Sequence, residues 1–147
     1  MDWRQWPVAL ALTTLSAAGC NDTRAAPAGL AAPLRGTGER GIYAFDLTLR
    51  PDPPAVGAFF EILTRVRDAH TGEVVAGAIL DLDAIMTAHG HGMTSAPEHS
   101  EIERGVYRSE GMKLHMPGRW TFVVRARRGA AEDRLTLAYD EPPRARR

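Results

Sequence analysis

Trp120-Thr121-Phe122-Val123-Val124-Arg125-Ala126-Arg127 is the stretch that decides the fold. Trp120, Phe122, Val124 and Ala126 recur at every second position, while Thr121, Arg125 and Arg127 fall between them. Extended chain sends successive side chains to opposite faces, so this pattern reads as a strand with one buried face. A helix would need its apolar residues three and four apart, and they are not. Within such a run Trp120 reads as a core anchor, not as a platform for a ligand.

Working outward, the same period of two recurs on both sides. Downstream, Arg128-Gly129-Ala130-Ala131 is a turn signal, and Leu135, Leu137 and Tyr139 alternate after it. Upstream, Met116-Pro117-Gly118-Arg119 places proline and glycine in the central positions that a type II turn favours. Before that turn, Gly105 to Leu114 reads as a strand, and the charged segment Thr94 to Arg104 as a polar loop. A strand beginning at Glu73 or Val74 carries Ala78, Leu80, Leu82 and Ala84 on one side, with Asp81 and Asp83 on the other. Val56 to Arg67 puts Val56, Ala58, Phe60, Ile62 and Val66 on one face, ahead of the turn Asp68 to Gly72. Ile42 to Arg50 does the same with Tyr43, Phe45, Leu47 and Leu49, and stops at Pro51-Asp52-Pro53-Pro54. Six or seven short strands without a helical stripe predict an all-β chain, an immunoglobulin-like antiparallel β-sandwich. Cys20 is the single cysteine, so no disulfide joins the sheets, and Phe60, Trp120 and Phe122 must hold them by packing.

The flanks read differently. Residues 1–20 carry Arg4, then an apolar run from Val8 to Leu15 that is too short to stay in a bilayer, then Ser16-Ala17-Ala18-Gly19-Cys20. Small residues leading into Gly-Cys resemble a bacterial lipobox, with Ala17 where leucine is usual. That resemblance implies acylation of Cys20, which would become the first residue of the mature chain and tie it to a membrane. Residues 21–40, rich in Ala, Pro and Gly, read as a flexible tether. The folded domain is expected over 41–139, with a frayed tail over 140–147. The expected location is the bacterial cell envelope, lipid-anchored and facing the periplasm or the outside. Formal net charge is zero, which argues against nucleic acid as a partner.

Functional signal is concentrated in one window. Apart from Met1, every methionine lies between Met86 and Met116, and so do His89, His91, His99 and His115. His89-Gly90-His91-Gly92-Met93 would present both histidines and Met93 on one side if it ran as a strand. Imidazole and thioether suit a soft or borderline transition metal, copper above all. The candidate ligands are His89, His91, Met93, Met112, Met116 and His115. Alternation ranks Met112 and Met116 ahead of His115, which it sends the other way. Met86 reads as core and His99 as part of a mobile loop. Absence of carboxylates from the motif argues against magnesium or calcium. Catalytic signals are thin. Ser95, Ser100 and Ser109 sit in no nucleophile elbow, and His99 with Glu98, Glu101 and Glu103 reads as a solvated loop, so no enzymatic activity is expected.

These residues, in the order Gly72, Val74-Val75-Ala76-Gly77-Ala78, Met86 to Met93, Pro97, Gly105-Val106-Tyr107 and Met116-Pro117-Gly118-Arg119-Trp120, resemble YtkA-like and FixH-like bacterial domains. The resemblance covers about Ile42 to Arg128 and departs at Thr87, where the family usually has proline. It implies a small envelope β-sandwich, in some relatives tied to copper handling or to respiratory-oxidase assembly. Two functions follow as expectations. One is a membrane-anchored lipoprotein that binds copper as a carrier or delivery factor. The other is a metal-free module that docks on an envelope protein or respiratory complex.

Overall fold

The computed structural model describes residues 34–140, and the fold is all-β. The described strands are, in chain order, β1 (Leu34–Thr37), β2 (Tyr43–Arg50), β3 (Phe60–Asp68), β4 (Ile79–Met86), β5 (His91–Gly92), β6 (Glu98–Glu103), β7 (Val106–Met112), β8 (Arg119–Arg128) and β9 (Ala131–Asp140). They form two antiparallel sheets, ordered β1-β2-β3-β7-β6 and β5-β4-β8-β9. This is an immunoglobulin-like β-sandwich, with nine described strands where six or seven were expected.

The alternation read from the sequence is the alternation of burial. Tyr43, Phe45, Leu47 and Leu49 of β2, Leu80, Leu82 and Ala84 of β4, and Trp120, Phe122, Val124 and Ala126 of β8 are all buried. Each large side chain taken out of water contributes about 1.5–3 kcal/mol, so this inward set supplies the main force holding the sheets face to face. Phe122 pairs with Ala84 on one side and Leu137 on the other, and Trp120 pairs with Tyr139. A small residue beside two large ones lets the inward layer close without voids.

Five expectations need correction. Leu34–Thr37, placed in the tether by its composition, is β1 and pairs with β2 from Leu34↔Leu47 to Thr37↔Ala44. Its alternating exposure, with Leu34 packed against the core, shows a short edge strand, for which period-two signal over four residues is too brief to read. β3 begins at Phe60 and not at Val56, because Ala58 N–H turns back to Ala55 O at 3.0 Å and Phe59 is left 66% exposed. Residues 73–78 contribute one bridge, Arg67↔Val74, before β4 starts at Ile79. The charged segment after the histidines is not all loop: Glu98–Glu103 is β6, an edge strand on β7 with a register shift between Glu101 and Glu103. An edge strand can be almost wholly solvated, so its charge hides it from a hydrophobic pattern. Residues 1–33 and 141–147, with the leader, Cys20, most of the tether and most of the tail, lie outside the described residues. Asp140, expected in that tail, closes β9.

The two long sides of the sandwich are closed by different means. On one side, Glu39 N–H donates to Arg134 O at 2.7 Å. There the buried carboxylate of Asp133 accepts N–H bonds from Arg40 (2.8 Å), Ile42 (2.8 Å), Tyr43 (3.1 Å) and Arg134 (2.9 Å). Burial pushes the Asp133 carboxyl upward, but these backbone donors outweigh it and hold it below the usual value. On the other side the links are made by side chains: Glu101 of β6 accepts from Gly77 N–H at 2.9 Å, Tyr107 Oη of β7 accepts from Ala78 N–H at 2.9 Å, and the ring of His99 reaches β4 itself. His99 of β6 accepts from Leu82 N–H at Nε2 (3.4 Å) and meets Ser109 Oγ at Nδ1 (2.9 Å).

Candidate functional site at the histidine pole

The chain passes between the sheets twice beside the β4–β5 hairpin, through residues 93–97 after β5 and residues 113–118 after β7. The histidines and methionines of interest sit on that hairpin and on these crossovers.

β4 ends at Met86, whose carbonyl accepts from both His89 N–H and Gly90 N–H at 3.0 Å. This closes a tight turn, and Gly90, at φ +70°, takes a conformation that a side chain would oppose. His89 is therefore an exposed turn residue, not the first member of a strand. Only His91 and Gly92 are extended, with His91 opposite Met86. The two rings still lie together, their centres 5.8 Å apart.

The second crossover overturns the ranking by alternation. β7 stops at Met112, so the period of two does not carry on to His115 and Met116. Leu114 O accepts from Gly57 N–H at 2.7 Å, and Met116 O accepts from the Trp120 indole N–H at 3.0 Å. Those bonds hold the carbonyls on either side of His115 and direct its ring to His91, at 5.2 Å between centres. Met112, ranked first with Met116, is instead wholly buried in the core opposite Phe60. Met86 is core as expected, 2% exposed. Met93 and Met116 are the half-buried pair, packed at the margin of the core. Met93 Sδ accepts a long bond from Lys113 N–H at 3.5 Å, which ties one crossover to the other.

The nitrogen atoms can be assigned chemically. His91 Nδ1 faces Gly92 O at 3.2 Å, and a carbonyl only accepts, so in the neutral ring Nδ1 carries the proton. Nε2 of His91 then has a free lone pair. His115 Nδ1 is buried and has no hydrogen-bond partner. Two imidazoles that ligate one ion at about 2 Å place their ring centres within roughly 6 Å of each other. The His91–His115 and His89–His91 spacings both meet that condition. Among the described residues, no three His, Cys, Asp or Glu side chains are grouped to hold a metal ion. The chemistry on offer is thus a pair of imidazoles, with the half-buried Met93 and Met116 on the two crossovers.

The remaining candidates lie elsewhere. His70 is in the exposed turn after β3. His99, expected in a mobile loop, is on β6, where burial pushes its pKa down while Asp81 and Asp83 pull it up less strongly. No local pattern announces the His99–Ser109 pair, since the partners belong to different strands. With Asp81 Oδ1 at 3.8 Å from His99 Nε2, it forms a Ser–His–Asp succession, but Ser109 is wholly buried and out of reach of a substrate. A surface depression of about 480 Å³ lined by Arg35, Asp46, Arg67 and Asp68 includes none of the pole residues.

Comparison with curated proteins and with solved structures gives no match. The family model described as YtkA-like matches residues 38–125. That span includes β2 to β7, both crossovers and most of β8, and it exceeds half of the 147 residues. It therefore takes in every histidine and methionine of the pole, and the chain belongs to the YtkA-like family.

Proposed function

We propose that this protein is an envelope lipoprotein that binds copper at the histidine pole and serves as a carrier or delivery factor. The observation that carries the reading is the His91–His115 ring pair, brought to 5.2 Å from two separate segments. His91 Nε2 and His115 Nδ1 are the proposed ligand atoms, with a thioether from Met93 or Met116 and with His89 at the solvent side. Two soft or borderline nitrogens and a sulfur suit Cu(I), which accepts low coordination and thioether ligands. Zinc in a structural site takes four ligands. The proposed anchor is an acylated Cys20; mass spectrometry that finds Cys20 free in the mature chain removes that part of the proposal.

The test is titration of the full chain with Cu(I) and Cu(II) against chelators of known affinity. Binding that falls at least tenfold in both His91→Ala and His115→Ala supports the site. Equal affinity in the double variant overturns it.

Burial of Met112 favours the second reading, a metal-free module docking on a membrane or respiratory complex, because it takes one of the three candidate methionine ligands out of play. No copper binding by the unaltered chain would leave that reading in place.

A further inference from the structure

Trp120 touches both sides of the histidine pole. Its side chain is fully buried, and its ring meets His91 at 6.2 Å and His115 at 5.4 Å, edge-on in both cases (interplanar angles 70° and 75°). Its indole N–H donates to Met116 O at 3.0 Å, one residue beyond His115. Between Met116 and Trp120 the chain folds through Gly118, at φ +129°, where an added Cβ would stand 2.9 Å from Met86 Cε. Met86 is in turn the residue whose backbone pairs with His91. One rigid side chain thus contacts both imidazoles, and the turn that precedes it lies against the side chain of Met86, at the strand end that pairs with His91.

The geometry points to Trp120 as the positioning residue of the His91–His115 pair; this rests on the reading of the pole as a metal site. Trp120 does not ligate, since indole N–H is a donor only and is already engaged. It acts by fixing the carbonyl of Met116, and with it the crossover, so that His115 stands opposite His91 before any ion arrives. Side chains that orient metal ligands typically change affinity by about 10–100-fold when altered. A bulky ring at 0% exposure also keeps water from its own side of the pair.

The experiment compares the isotopically labelled full chain with Trp120→Phe, which keeps an aromatic ring but has no donor. In the metal-free protein, nuclear Overhauser contacts between the His91 and His115 ring protons are expected in the unaltered chain and lost in the variant. Cu(I) affinity is expected to fall about tenfold or more in the variant, with far-UV circular dichroism unchanged. A merely structural Trp120 would lower the melting temperature and leave both ring contacts and affinity intact, which overturns the proposal. If the unaltered chain binds no copper, the metal reading falls, and the metal-free ring contacts still decide the role of Trp120. If Trp120→Phe does not fold, exchange of the Trp120 indole proton in the unaltered chain decides: slow exchange supports a held N–H, and fast exchange overturns it.

Discussion

Asp133 occupies the space in which a side chain on Gly38 would begin: a Cβ built there collides with the Asp133 carboxyl group. Gly38 is glycine because of close approach, and the chain from Arg40 to Tyr43 then wraps its N–H groups round the same carboxylate. Gly38→Ala is expected to destabilise the domain as Asp133→Ala does. Asp133→Ala leaves four backbone donors without their acceptor, a loss of at least about 3 kcal/mol by urea unfolding. The folded-state pKa of Asp133 is depressed, so its contribution is complete above the unfolded value of 3.8 and is lost as pH falls below it. Wild-type stability at either end of that window, compared with Asp133→Ala, checks the sign.

Copper affinity should separate the methionines. Met93→Leu and Met116→Leu are each expected to weaken Cu(I) binding by a few fold, since one can substitute in part for the other. Met112→Leu should leave affinity unchanged and cost under about 1.5 kcal/mol, as a volume-conserving swap in the core. His70→Ala should change neither. A large loss of affinity in Met112→Leu alone would restore the ranking that alternation suggested.

His99 predicts a dependence on pH near neutrality. Its folded-state pKa lies below 6.5, because burial opposes the charged ring more than Asp81 and Asp83 favour it. As pH falls through 6.5 the unfolded chain takes up the proton first, so stability declines between 6.5 and the folded-state value, then levels. Protonation also removes the Nε2 acceptor for Leu82 N–H. Urea midpoints at pH 7.5 and pH 5 should differ more for wild type than for His99→Gln.

Thr64 is buried on β3 between Leu47 and Tyr107, and its hydroxyl has no hydrogen-bond partner. Thr64→Val keeps the shape and removes the stranded polar atom. It is expected to raise stability by about 1 kcal/mol, read as a higher urea midpoint at unchanged slope. A lower midpoint would show that the hydroxyl is satisfied in solution.

How much of this was legible in the sequence depends on which force placed each residue. Inward faces of β2, β4, β8 and β9 were legible because burial dictates every second residue. β1 and β6 were not, since an edge strand is specified by its partner's free backbone groups and those carry no side-chain signal. Within the candidate site, the gathering of His and Met was visible, and the pairing was not. His115 was ranked low because alternation was carried past Met112, where β7 ends. The Trp120 and Gly57 bonds that aim its ring come from the far side of a turn and from a separate loop. No local pattern could have announced them.

The unequal sides of the sandwich give it a seam and a spine. Along the spine, β1 and the segment after it are fastened to β9 by the main chain and the Asp133 carboxylate. Along the seam, β6 reaches β4 and the segment before it only through side chains, the ring of His99 and the exposed carboxylate of Glu101. Local opening is therefore expected to start at β6, which makes residues 98–103 the place for early amide exchange and for nicking by a protease. Glu98, Glu101 and Glu103 give that strand a run of negative charge, so two copies that open together repel each other at the edges where strands would otherwise add. A seam that loosens without polymerising is what such a strand secures.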